Sequence, residues 1–350
     1  MTDKGTRCRR ATVETTYKGK SITTKLDDYN TSFSYTDNAS GNSDDVKLDI
    51  FDPDGRWRGD WIPQKGDKVE SVIKVEDWMK EGDNSTLKCG TFTLDSLDIY
   101  GEPSFVSIGC VSAPVEDAFK TTEKTKTWES TTLQQIASDI AGEAKMSLEY
   151  DAEAITIEKK EQNKQTDSDF LNKLVEDFGL CMKIYSNKLV IFNRQKYKQK
   201  DSVATISTED MAPNWKYSSD LEGLYTGVKI EYQHTDTTKT TAKDGKKEKK
   251  KNEKLSYEYG KGPRWLKLNE KVDNTAECER IAKGKLEKEN HGKTKLTFST
   301  LGNTKLVATQ CVTIKGLSSV IDGKYYIDKV THTINGSGYV CDYELAKVEG

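Results

Sequence analysis

The period of the hydrophobic pattern changes twice along this chain, and that double switch limits the folds open to it. From residue 11 to 120 the apolar residues alternate or gather in short β-branched runs, as in "ATVETTYKG", "VKLDIFD", "DKVESVIKVEDW", "LKCGTFTLDSLDIYG" and "SFVSIGCVSA". Gly, Pro, Asp and Asn punctuate them at short intervals, as expected for strands joined by tight turns and packed as a small barrel or sandwich. Between 121 and 195 the period becomes helical. Leu133, Ile136, Ala137, Ile140 and Ala141 fall on one helix face, and Phe170, Leu171, Leu174, Val175 and Phe178 fall on another. From 201 to 350 strands return, in "TKLTFSTLG", "QCVTIKG", "GKYYIDKVTHTI" and "GYVCDYELAKV".

Local chemistry fixes several of these boundaries. Thr132 and Gln135 fit a capping box at the start of the first helix. The second helix begins near Ser168, and Gly179 is placed to end it in a left-handed conformation. "LCMKIY", the turn Ser186-Asn187 and "KLVIFN" read as a hairpin. Two segments interrupt the last region. Residues 234–255, "HTDTTKTTAKDGKKEKKKNEKL", are too polar to order themselves and are expected to form a mobile Lys-rich loop between two strands. Residues 273–292 carry a narrow stripe of Cys278, Ile281 and Ala282, expected of a surface helix lying on a sheet. The fold class is therefore β-rich α+β. Residues 1–120 are expected to form a first small β domain, 121–200 an α+β domain with two amphipathic helices, and 201–350 a second β domain. Whether residues after 200 complete the first barrel stays open.

Composition narrows the function classes. Hydrophobic residues are only 34% of the 350, so the 16 Tyr, 9 Phe and 6 Trp must supply much of the buried area of several thin cores. A net charge of -3 gives no global pull toward nucleic acid or anionic lipid. The longest apolar runs, such as 189–192, are far short of a membrane span, and "MTDKGTRCRRATVE" has no apolar region of a secretory signal. The seven cysteines lie far apart with no CxxC, and most sit among apolar neighbours, so they read as small buried hydrophobes in a reducing compartment.

"DPDGRWRGDWIPQKGDKV", residues 52–69, invites two chemical readings. As a calcium loop it offers Asp52 and Asp54, then fails: Arg56, Trp57 and Ile62 occupy positions that need an oxygen ligand, Gly and Glu. Asp-Pro-Asp-Gly is instead a strong turn. Arg58-Gly59-Asp60 spells an adhesion tripeptide, but Trp57 and Trp61 beside it are expected to pack the loop down. His234, His291 and His332 have no metal spacing, and His332 reads as a structural hydrogen-bonder. No nucleophile motif and no phosphate loop occurs, and 57 carboxylates make any acidic pair uninformative without geometry. The two apolar helix faces read as packing surfaces rather than ligand sites. No catalytic, cofactor-binding or metal-binding residue is assigned, and no cofactor is expected.

Five motifs in order resemble one family. They are "DIFDPDGRWRGDWIPQKGDKVESVIKV", "CGTFTLDSLDIYGEPSFVSIGCVS", "KTWESTTLQQIASDIAGEAKMSLEYD", "EQNKQTDSDFLNKLVEDFGLCMKIYSNKLVIFN" and "VIDGKYYIDKVTHTINGSGYVCDYEL". Together they span roughly residues 45–345 and resemble the phage late control protein D family, baseplate hub proteins of contractile tails similar to prophage XkdQ-type hubs. The Lys-rich 234–255 segment departs from that pattern and resembles an insertion. The resemblance implies two tube-like β-barrel domains plus an α+β domain, and a homotrimer. Its six barrels would form a pseudo-sixfold ring between a hexameric tail tube protein and a trimeric spike protein, beside other baseplate proteins. It implies no enzymatic activity, no specific nucleic-acid binding and no membrane span. Assembly would occur in the bacterial host cytoplasm, within a phage tail or tail-like bacteriocin particle. A cell-wall hydrolase and an extracellular adhesin are the competing readings.

Overall fold

The structure, a computed structural model, describes residues 8–17, 20–21, 30–59, 61–64, 66–113, 118–220, 222–235, 252–270, 272 and 274–348. The first region gives β1 (Arg10–Tyr17), β2 (Lys20–Ser21), β3 (Asn30–Asn38), β4 (Asp45–Phe51), β5 (Lys68–Glu76), β6 (Ser85–Tyr100) and β7 (Phe105–Val111). The middle gives α1 (Ala118–Thr121), β8 (Glu123–Thr132), α2 (Leu133–Glu143), β9 (Ser147–Asp151), β10 (Thr156–Thr166), α3 (Asp167–Asp177), β11 (Cys181–Tyr185), β12 (Lys188–Phe192) and α4 (Arg194–Gln199). The last gives β13 (Ala204–Ser207), β14 (Lys216–Ser219), β15 (Gly227–Thr235), β16 (Asn252–Gly260), β17 (Trp265–Leu268), α5 (Thr275–Asn290), β18 (Thr294–Leu301), β19 (Cys311–Lys315), β20 (Gly323–Asn335) and β21 (Gly338–Lys347). This is the β-rich α+β class that the sequence implies.

The two outer β regions meet in a single 13-stranded sheet, ordered β14-β18-β21-β20-β3-β4-β7-β6-β5-β1-β2, with β19 also on β20 and β13 on β19. The joint is the antiparallel ladder of β3 on β20, from Asn38 opposite Lys329 to Ser32 opposite Asn335. Alternation drives it. Phe33 and Tyr35 of β3 and Val330, His332 and Ile334 of β20 turn inward and are buried. They join one apolar core that runs through both halves, from Val13 through Phe92 and Ile108 to Phe298, Tyr343 and Leu345.

A second core is built on α2 and α3 and takes in Ile184, Leu189 and Ile191 of the β11–β12 hairpin. Thr132 Oγ1 accepts from the Gln135 N–H at the start of α2, and Thr166 does the same for Asp169 at the start of α3. At the end of α3, Gly179 has φ +70°, its N–H reaches Glu176 C=O, and Leu180 N–H reaches Val175 C=O, a Schellman closure. Ser186 and Asn187 both carry positive φ and close the β11–β12 hairpin as expected.

The structure moves one expected boundary. Residues 227–290, placed by sequence within the 201–350 barrel, contribute Val228, Ile230, Cys278, Ile281 and Ala282 to the second core instead. β15, β16 and β17 form their own sheet, and α5 lies on it. Inward residues alternate on β15 and the α5 stripe covers them, so the segment buries its apolar side without the 13-stranded sheet. The Lys-rich loop also starts later and ends earlier than expected. His234–Thr235 and Asn252–Leu255 extend β15 and β16, with Thr235 opposite Asn252. Residues 236–251 between them lie outside the described residues.

Candidate functional site

Lys183 is the one charged residue in "LCMKIY", and β11 aims it out of the second core toward the 13-stranded sheet. Its Nζ lies 2.5 Å from Asp37 Oδ1, 2.6 Å from Asn38 C=O and 3.0 Å from Asp44 Oδ2. Asp37 is the penultimate residue of β3 and Asp44 precedes β4; both are buried, and the Lys183 side chain is 10% exposed. The other Asp37 oxygen accepts from the Ala308 N–H at 2.8 Å, so the first region, the second core and the last region meet on one carboxylate. Burial pushes Asp44 up to about 7 against the pull of Lys183. Burial opposes the Lys183 charge, but Asp37 and Asp44 outweigh it and hold the ammonium above its ordinary value.

A cleft of about 350 Å³ opens beside this cluster, lined by Tyr35, Asp37, Lys183, Tyr185, Phe192 and Tyr197 among others. A second polar contact joins the same two bodies. Arg194 Nη2 donates to Ser40 Oγ at 2.9 Å, and His291 Nε2 lies 2.8 Å from Asp328 Oδ1. Sequence reasoning missed both contacts. The lone lysine in an apolar strand was the available signal for the first; nothing local marks Asp37 or Asp44 as buried.

The described residues of 52–59 form a hydrogen-bonded turn. The Asp52 carboxylate is buried and accepts from the Arg56 and Trp57 N–H groups at 2.9 and 3.2 Å, closing a 3-10 turn over Arg56–Arg58. Its oxygens are thereby spent on backbone, and Asp54 pairs with Arg56 at 3.3 Å. Trp57 is buried beneath the loop, while Trp61, edge-on at 5.9 Å, stays half exposed, so only one of the two tryptophans packs fully. Arg58 pairs with Glu102 at 2.7 Å; Asp60 lies outside the described residues. His332 is fully buried, stacks on Tyr35 and bonds Tyr339 Oη through Nδ1 at 2.8 Å. Burial pushes its pKa down to about 4, so it is a neutral packing group. Six cysteines are buried and Cys8 is exposed. Among the described residues, no three His, Cys, Asp or Glu side chains gather in metal-ligating geometry, and no helix is long and apolar enough to cross a membrane.

What the surface offers is contact area. Leu301 of β18 and Val340 of β21 stand opposite each other and are partly exposed. With Met79, Leu301 borders a cleft of about 380 Å³ between the two β halves, where Trp78 Nε1 donates to Gly302 C=O. Trp61, Ile62 and Tyr100 are also exposed, and Arg58, near Trp61 in sequence, pairs with Glu102, near Tyr100. Among the described residues, β14 ends the sheet on one side, and β1 with its two-residue partner β2 ends it on the other. Such edges carry backbone donors and acceptors free to pair with another chain.

A sequence profile described as YQBQ-like matches residues 119–346, more than half of the chain. The chain belongs to the YQBQ-like family. Two curated relatives align along nearly the whole length of this family member. One is the probable baseplate hub protein of Escherichia phage 186, 25% identical over 364 residues, covering 94% of this chain and 91% of the relative. The other, of the same name, is from Escherichia phage P2, 26% identical, with 93% and 90% covered. The YQBQ-like chain also superimposes on the 43 kDa tail protein of prophage MuSo2 from Shewanella oneidensis with a TM-score of 0.68. That match covers 96% of this chain and 98% of the other at 11% identity, and establishes a shared fold. The ordered motifs quoted above thus pointed to the right class of protein.

Proposed function

We propose that this chain is a structural baseplate hub of a contractile injection system. Three copies form a ring that joins a hexameric tail tube to a trimeric spike. The observation that carries the proposal is the joining of two β halves into one sheet at β3 and β20, in a chain similar along nearly all its length to probable baseplate hub proteins. Each half supplies six longer strands: β1 and β3–β7 from one, β13, β14 and β18–β21 from the other. Three copies therefore present six related units, enough to meet sixfold symmetry on one side and threefold on the other. The α+β unit, residues 119–192 together with 227–290, sits beside these halves. Open sheet edges and exposed side chains such as Leu301 and Tyr100 support association over catalysis. The part is assembled in the host cytoplasm and carries no enzymatic activity.

Light scattering on the purified chain, alone and with its tube protein, tests this, together with averaged electron micrographs. Trimers with six peripheral lobes are expected. A species that stays monomeric at tens of micromolar in both conditions refutes it.

A further inference from the structure

Two large apolar cores lie among the described residues, with a small third cluster of Ala39, Ala308, Cys311 and Tyr326, and the strand pairings of one large core do not extend into the other. Several polar contacts cross between them: Lys183 to Asp37, Asn38 and Asp44, Tyr185 Oη to Lys88 C=O at 3.1 Å, Arg194 to Ser40, and His291 to Asp328. Polar junctions between bodies with separate cores permit relative motion. The charge count at Lys183 is uneven, because two buried carboxylates face one ammonium. With both ionised, the junction buries a net negative charge, which is costly. Asp44 Oδ2 also lacks a well-aligned hydrogen bond, although it lies 3.0 Å from the Lys183 ammonium.

We propose that Lys183, Asp37 and Asp44 form a latch between the two cores, closed while Asp44 carries a proton and loosened when Asp44 is charged. The second core then moves against the 13-stranded sheet as a body, with neither core unfolding.

The neighbours leave Asp44 as the group that titrates near neutrality. Facing the cluster are Tyr35 on β3, Tyr185 on β11, Cys89 on β6 and His332 on β20. Burial holds the Tyr35, Tyr185 and Cys89 protons above their ordinary range and His332 below its own. Lys88, Lys188 and Glu149 line the adjoining cleft. A raised carboxylate pKa contributes stability that is complete below the unfolded value and disappears as pH rises through the folded one. The latch therefore weakens progressively as pH rises above the ordinary carboxylate value and is at its weakest once pH has passed about 7.

Hydrogen exchange with mass-spectrometric readout on the full chain, at pH 6.0 and 8.5 and corrected for intrinsic rates, tests this. Protection of peptides over 36–46, 181–186 and 305–310 is expected to fall about tenfold at the higher pH, the loss that one pKa unit corresponds to. Protection over 133–141 and 340–346, inside the two cores, should hold. Asp44→Asn should keep the junction protected at both values, and His291→Gln should retain the wild-type pH response. Equal junction protection at both pH values overturns the proposal. So does a pH response that survives Asp44→Asn, or one that is as large inside the cores.

Discussion

Gly284 lies inside α5, where an alanine would ordinarily be the better residue by up to about 1 kcal/mol. Here the sign should reverse. A Cβ built on Gly284 comes within 2.4 Å of the Gly179 Cα and 3.0 Å of its nitrogen. Both sides of that contact are backbone, and Gly179 is itself fixed by the Schellman closure of α3, so neither can swing away. Overpacking costs about 1–3 kcal/mol, and a backbone-to-backbone clash belongs at the upper end. Subtracting the propensity gain leaves Gly284→Ala destabilising by about 2 kcal/mol. Gly142, in the last turn of α2, is the control, since its Cβ would meet nothing within 4 Å. Gly142→Ala should therefore stabilise by a few tenths to about 1 kcal/mol. Differential scanning calorimetry of the two variants beside the wild type reads both effects. The thermal midpoint should fall for Gly284→Ala and rise for Gly142→Ala. A rise for both would show that α3 and α5 do not approach as described.

Other consequences can be checked alongside. Asp52→Ala should cost about 1–2 kcal/mol in urea unfolding through loss of the turn cap, and calcium should leave the wild-type midpoint unmoved; calcium-dependent stabilisation would revive the ligand-loop reading. Gly66 has φ +90° with open space around its Cβ, so Gly66→Val should cost about 2 kcal/mol from backbone strain alone, measured by thermal midpoint and by yield of assembled rings. His332, held down to about 4, contributes stability that is complete above about pH 6.5 and lost as pH falls toward 4. His332→Gln should flatten that acid limb in calorimetry at pH 4.5 and 7; an unchanged slope would exclude His332 as its source.

The helical elements were largely legible, because their signals are local. Thr132 caps where the sequence places a cap, Gly179 ends α3, and Cys278, Ile281 and Ala282 face inward on α5. The strand that joins the two halves was not. β3 reads "NTSFSYTDN", a composition of turns, and only Phe33 and Tyr35 mark its buried side. One of its two ladders is with neighbouring β4, but the other is with β20, some 300 residues away, which no local window contains. The ribbon of β8 and β10, "EKTKTWESTT" and "TIEKKEQNKQT", was hidden for the opposite reason: it is highly charged and pairs mainly with itself. The move of 227–290 into the second core includes the close approach of Gly179 and Gly284, again a contact between distant residues.

The β3–β20 ladder sets an order on biosynthesis. At roughly 5–20 residues per second, a ribosome that has delivered β3 needs roughly 15–60 s more before the last residue of β20 exists. During that interval the α+β unit has all its strands and helices by residue 290, so it can close first. The β3 edge meanwhile waits unpaired, a template for any other strand in reach. Nascent chains crowded on one message would therefore be most exposed to cross-pairing along residues 32–38, the same backbone that later unites the finished sheet.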